Sequence, residues 1–176
     1  MASIINVDQI RNAAGTSAMT INNSGKVNIP GHILQVVNAE SMTRVTTTVT
    51  DLTAPTETGL NVTITPSATT SKCLIVINAS LQGTGGAYVS GLIKRDSTLI
   101  PIVSGQTNAG LMGYAFNPSS IVSGRGGFSF LDSPSTTSAI TYKFCITRYG
   151  GSGTGKMNSN TGNNDLSSMF VMEIAQ

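Results

Sequence analysis

The chain reads as an all-β protein, its strands spaced as in an antiparallel β-sandwich or barrel, with a short N-terminal arm or hairpin. Three observations lead to that reading. Apolar residues alternate with polar ones along several segments, helical periodicity is nearly absent, and 19 Gly and 6 Pro divide the chain into short elements. A length of 176 residues fits one well-buried core with a short appendage. The polar half of the alternation is neutral: Ser and Thr supply a quarter of the residues and only 10% are charged, less than half the usual share. A neutral second face suits packing against protein better than it suits a solitary soluble enzyme.

Residues 1–31 form the expected arm. Ile4, Ile5, Val7 and Ile10 make an apolar lead too short to form a core alone, a strand or single helical turn suited to docking onto something else. Residues 18–21 and 26–29 then flank Asn22, Asn23, Ser24 and Gly25, where Asn and Gly tolerate the positive φ of a tight reversal. A hairpin is expected there. Pro30 and Gly31 close the arm as a turn or linker.

The body, residues 32–176, opens with a strand over 32–38. Val45, Thr47 and Val49 alternate with Thr46, Thr48 and Thr50, and Leu60, Val62 and Ile64 with Asn61, Thr63 and Thr65. Each of these strands should have one buried face and one wet or interface face. Residues 73–77 are apolar without a break, which predicts a central strand covered on both faces. Segments 88–95 and 99–103 flank Asp96, Ser97 and Thr98 as a hairpin, with Pro101 placing the second strand at an edge or bulge.

Residues 104–117 carry several glycines and little alternation, which predicts a long surface loop. A strand over 126–131 leads through the turn-rich 132–138 to 140–147, where Ile140, Tyr142, Phe144 and Ile146 oppose Thr141, Lys143, Cys145 and Thr147. Residues 150–165 are rich in Gly, Asn and Ser, with Met157 their one core-forming residue, and read as a mobile or partner-ordered loop. Residues 168–175 end the chain as a strand that stays ordered only if it is sheeted in.

The residues that carry chemistry are sparse. A net charge of +2 comes from scattered basic residues without a run that tracks a phosphate backbone, so no nucleic-acid partner is expected. No segment nears the ~20 apolar residues of a membrane span, and no secretory signal is read at the N-terminus. Cys73 and Cys145 lack C-x-x-C spacing and read as structural thiols, with a strand-to-strand disulfide as the alternative. Gly150 to Lys156 fits the literal G-x-x-x-x-G-K spacing, but Met157 stands where a Ser or Thr should hold magnesium and no helix pattern follows. His32 is the one imidazole, so neither a hydrolase triad nor a His-rich metal site is signalled. Asp51 with Glu57 and Asp96 with Asp132 are the carboxylate pairs available for glycan cleavage, though each residue sits at a turn where acids are ordinary. No cofactor is expected. Tyr114, Phe116, Tyr149 and Lys156 are the candidate host- or partner-facing residues, because aromatics in glycine-rich loops can stack on sugar rings or pack the end of a barrel.

Two stretches together bring a family into view. Residues 8–27 (DQIRNAAGTSAMTINNSGKV) resemble the Gly- and Asn-punctuated lead-in of short fibre proteins from tailed bacteriophages. Segments 32–37 (HILQVV), 58–67 (TGLNVTITPS), 71–76 (SKCLIV), 93–97 (IKRDS) and 170–175 (FVMEIA) are similar, in order, to their C-terminal knob domains. The resemblance implies a β-sandwich knob of jelly-roll-like form in a non-enzymatic virion protein, a homotrimer whose N-terminal segment docks on other virion proteins and whose loops contact a host glycan or receptor. Threonine-rich faces would then be subunit interface. Only about thirty residues precede the body, without the long shaft usual in such fibres, which keeps a head decoration or cement protein open as the alternative.

Overall fold

The computed structural model describes residues 7–21, 25, 27–100, 112–114, 122–158 and 165–176. Strands β1 (Gln9–Arg11), β2 (Ser17–Ile21) and β3 (Val27–Asn28) form a separate three-stranded sheet in that order. The expected hairpin is present, with Ile21 opposite Val27. Part of the apolar lead joins it: Ile10 lies in β1 opposite Met19. Directly opposed residues share a face, so Ile10, Met19, Ile21 and Val27 lie on one side of this sheet and Gln9 and Thr20 on the other. Beyond the turn at Pro30 and Gly31, the Gly31 amide donates to the Ala175 carbonyl and the Ala175 amide to the His32 carbonyl. The end of the arm is thereby stitched to the end of the chain.

The body is two antiparallel sheets packed face to face. One holds β4 (Ile33–Ser41), β5 (Val45–Thr47), β7 (Lys72–Gly83), β11 (Val122–Asp132), β13 (Gly155–Met157) and β14 (Ser167–Ile174). The other holds β6 (Thr56–Ile64), β8 (Tyr88–Arg95), β9 (Thr98–Ile100), β10 (Met112–Tyr114) and β12 (Ile140–Tyr149). Strand β11 pairs β7 along its length, while β14 and β13 lie end to end on the opposite edge of β7, followed by β4 and β5. In the second sheet β9 and β10 share one edge of β8, and β12 and then β6 follow on the other. Each sheet is therefore four strand-columns wide.

The core lies between them. Leu60, Val62 and Ile64 from β6, Ile75, Ile77 and Leu81 from β7, Tyr142, Phe144 and Ile146 from β12, and Met169 and Val171 from β14 are all almost wholly buried. These are the inward positions of period-two strands, which is why the alternation is so clean. Within β6 the pairing with β12 is broken by a bulge at Gly59. Lys143 faces Asn61 and Cys145 faces Glu57, so three residues of β6 oppose Phe144 alone. Gly59 lies in the middle of this two-residue excess at φ 79°, and Thr58 Oγ1 donates to the Phe144 carbonyl at 2.7 Å. An excess of two keeps the alternation in phase, and Thr58 and Leu60 are both buried.

Several expectations need correction. The strand read over 45–50 is hydrogen-bonded into the sheet only over three residues, although Thr46, Thr48 and Thr50 are exposed and Thr47 is buried as the alternation requires. Strand β7 is central, but its second face is not fully covered: Leu74 and Val76 are half-buried and Asn78 is exposed. An unbroken apolar run marks two apolar faces without saying what covers the second. Loop 104–117 contains a short strand, β10, paired with β8, while the rest of it lies outside the described residues. Loop 150–165 contains β13, which brings Met157 to the core at 0% exposure and pairs both β5 and β7. Its glycines serve close packing: a Cβ on Gly153 would fall inside the Thr84 carbonyl.

Three buried polar groups are each held by two or more hydrogen bonds, as burial demands. Asp132 Oδ2 accepts from Arg95 Nη1 and Tyr142 Oη, both at 2.7 Å. Asn158 Oδ1 accepts from Ser167 Oγ at 2.7 Å, while its amide nitrogen donates to the Ser41 and Thr43 carbonyls. Glu173, at 0% exposure, accepts from the Ser67 amide at 2.7 Å and hydroxyl at 2.6 Å through Oε1, and from Gln35 Nε2 at 2.6 Å through Oε2.

Burial pushes the Glu173 carboxyl up, but donors from Ser67, Ser71 and Gln35 together outweigh it and leave the group below its ordinary value of 4.5. A carboxyl lowered by folding contributes stability above its unfolded pKa and loses it as pH falls through the folded pKa. Thermal melts from pH 7 down to pH 3 should therefore show a fall in Tm beginning below about pH 5. In Glu173→Gln, Tm at pH 7 should be lower and the acid loss shallower than in the wild type. Parallel curves for the two proteins would contradict this role.

Candidate functional site

The two outer faces of the sandwich differ sharply in chemistry. On the five-stranded sheet, Glu57, Lys94 and Lys143 form a cluster with Nζ to carboxylate distances of 3.4 Å for Lys94 and 3.2 Å for Lys143. The Glu57 carboxyl is lowered by the hydrogen bond from Lys143, then by Lys94 and the charges of both, against a smaller rise from burial. Beside it Thr63 and Thr141 share a hydrogen bond at 2.8 Å. This face is suited to water.

The outer face of the six-stranded sheet is apolar. Register places its side chains in rows across β4, β14, β7 and β11. One row is Val36, Met172, Leu74 and Leu131; the next is Asn38, Phe170, Val76 and Ser129; and Ile33 and Ile174 begin the row on the other side. Ile33, Val36 and Leu131 are 55%, 54% and 46% exposed, and the other five apolar members are half-buried. Eight apolar side chains thus lie side by side, with Lys72 opposite Ile174 as the one charge at the edge of these rows. Monomeric proteins rarely leave so broad an apolar patch in water. The sequence carried its signal in 73–77 and 170–174, which are apolar at both parities, but such runs read equally as strands covered within their own chain.

The arm repeats the situation on a smaller scale. Ile10 and Val27 are 49% and 44% exposed, and Met19 and Ile21 beside them are half-buried. Val7, at 38% exposure, precedes β1; Ile4 and Ile5 lie outside the described residues.

The residues expected to face a host divide among different places. Tyr149 ends β12 opposite Tyr88, with ring centroids 6.1 Å apart and planes tilted by 50°. Both rings are exposed, and Gly150 lies against Tyr88. Arg148 Nη1 donates to the Gly151 carbonyl at 2.6 Å and fixes this turn. Tyr114 belongs to β10, opposite Val89 at the same end of β8, and Phe116 lies outside the described residues. Lys156 is not in a loop: it sits in β13 between Thr46 and Gln82 of the other sheet.

The groups weighed for catalysis are committed elsewhere. Asp51 Oδ1 accepts from the Thr53 hydroxyl and amide, both at 2.7 Å, and the hydroxyl bond leads in lowering its carboxyl. Asp96 Oδ1 accepts from the Thr141 amide at 2.9 Å, and Glu57 and Asp132 hold their lysines, arginine and tyrosine. Cys73 and Cys145 are free and buried; burial pushes both thiols up, Cys145 to about 11, away from a reactive thiolate. In the glycine-rich 150–156 turn, the Ser152 amide donates to the Gly85 carbonyl and the Thr154 amide to Thr84 Oγ1. A strand follows in place of the helix that a phosphate cradle needs. Among the described residues no group of three or more His, Cys, Asp or Glu is placed to hold a metal.

A cleft of about 540 Å³ separates arm from body, lined by Thr20 and Val27 on one side and by Gln35, Ser67, Thr70 and Glu173 on the other. Both Glu173 oxygens are already engaged there. No protein-family model matches the chain, and no curated protein matches it either.

Proposed function

We propose that this is a non-enzymatic structural protein of a bacteriophage virion, a short homotrimeric tail-fibre or tail-associated protein that docks by its N-terminal arm and turns its loops toward the host. The observation that carries the reading is the pair of apolar faces left uncovered, one on the six-stranded sheet and one on the arm. Two uncovered faces on one chain suit a protein with two sets of protein neighbours. The committed carboxylates and buried thiols support a role without chemistry. Strand order supports the fold that the resemblance implies. Numbered along the chain, the eight columns run 1-8-3-6 in one sheet and 2-7-4-5 in the other, which we read as a jelly roll, an architecture of viral capsid and lectin domains. Fold alone assigns no function; the uncovered faces supply the argument. This reading puts the subunit interface on the apolar sheet and leaves the Thr63 and Thr141 row in water.

Deleting residues 1–31 should leave a soluble body that melts cooperatively, because the arm is a separate sheet and its end is held to the body by the Gly31 to Ala175 hydrogen bond. Particles assembled with the truncated chain should lack it. Normal incorporation would refute arm-mediated docking, and immunogold labelling of intact particles on the head in place of the tail would replace the tail assignment with head decoration.

A further inference from the structure

We infer that the apolar outer face of the six-stranded sheet is covered by a second copy of this chain, and that Glu40 on one rim meets Arg125 on the opposite rim of the neighbouring copy. The inference rests on the homotrimer proposed above and deepens it by naming the contact. Three features argue for a copy of the same chain.

The first is extent. Two full rows of four and the two apolar positions that begin a third, at strand spacings of about 4.8 Å and row spacings of about 6.8 Å, cover about 330 Å² in projection. A specific interface removes about 800 Å² of accessible surface per partner, which is larger than a projected area for the same footprint. The apolar rows therefore supply the centre of a self-contact, and the flanking rows that carry Glu40 and Arg125 complete it.

The second is the charge at its rims. Continuing the rows, Glu40 lies on the β4 side opposite Ser168, and Arg125 lies on the β11 side opposite Ser80. Both are exposed, and neither belongs to any of the ion pairs among the described residues. The acid is at one edge and the base at the other, about 16 Å apart across three strand spacings and one row, too far to meet within one protomer. In a closed ring each copy presents one edge to the opposite edge of the next, so such an arrangement pairs unlike charges at every contact. A foreign partner would need its own matching pair; a copy carries it already.

The third is the composition of the centre. Val36, Met172, Leu74, Phe170 and Val76 form an uncharged middle flanked by the short polar side chains of Asn38 and Ser129. Depletion of charge at the centre with polar groups outside it is the anatomy of a subunit interface.

The test uses the purified full-length chain. Its dissociation constant would be measured by light scattering over a dilution series, alongside Glu40→Arg, Arg125→Glu, the double variant and Met172→Asp, with a thermal melt of each. Each single charge reversal should weaken association at least about tenfold, because it sets like charges against each other, and the double reversal should restore it to within about threefold. Met172→Asp should give a cooperatively melting monomer. If Met172→Asp does not fold, the three exposed rim variants decide the matter alone. A wild-type oligomer indifferent to both the charge reversals and Met172→Asp would overturn this contact and leave the trimer standing. A monomeric wild type would overturn both, including the case where another protein covers the face.

Discussion

Removing residues 167–176 should abolish folding. Strand β14 sits between β4 and β7, so its loss leaves both neighbours with unpaired ladder groups along most of their length. Met169 and Val171, each at 0% exposure, leave the core with it. Truncating one such side chain to Ala costs about 2–5 kcal/mol, and a domain has only about 5–15 kcal/mol in total. The loss also strips Ser67 and Gln35 of their Glu173 acceptor. Circular dichroism of the truncated chain should show no cooperative melt. A cooperative melt within about 10 °C of the wild type would contradict the placement of β14, since a domain of this size shifts by about 2–4 °C per kcal/mol.

Asp132→Ala should be the most damaging single polar substitution. Asp132 is 7% exposed and its Oδ2 holds both the Arg95 guanidinium and the Tyr142 hydroxyl, the latter belonging to a wholly buried residue. Its removal takes the carboxylate away from a partly buried cation and from a buried hydroxyl, whose other side-chain partner is the weakly accepting Cys73 sulfur. Arg95 keeps some water at 26% side-chain exposure, which moderates the loss. A destabilisation of about 2–4 kcal/mol is expected, which lowers Tm by about 5–15 °C. Tyr142→Phe removes one donor and leaves the Arg95 pair intact, so about 1 kcal/mol is expected. Chemical denaturation of the two variants measures both values, and equal losses would contradict the central place given to Asp132.

The body strands were legible because their chemistry is local. Leu60, Val62 and Ile64 announce their inward face by alternation, and Ile140 to Ile146 do the same in β12. The arm hairpin was legible from Asn22 to Gly25 for a similar reason. Strand β13 was not, because three residues amid Gly, Ser and Asn show no period; its pairing with β5 and β7 depends on strands more than seventy residues away. The buried Glu173 was also hidden. A lone acid in an apolar strand gives no hint that Ser67, Ser71 and Gln35 will converge on it.

Least legible was the candidate surface. Charge scarcity pointed toward assembly and drew attention to the threonine rows; in the folded chain Thr63 lies on the sheet of the Glu57, Lys94 and Lys143 cluster, while Thr46 sits in β5 of the other sheet. The apolar patch is assembled from β4, β14, β7 and β11, and only register reveals that Val36, Met172, Leu74 and Leu131 form one row. Periodicity tells which residues share a face of one strand; it does not tell which strands lie side by side.

This neutral sandwich is expected to exist as an assembly of copies. Light scattering coupled to size exclusion, run on the full chain at micromolar concentration, tests it most directly. Three times the chain mass of 18.2 kDa is the expected result, and a single sharp peak at 18.2 kDa that persists as concentration rises would contradict it.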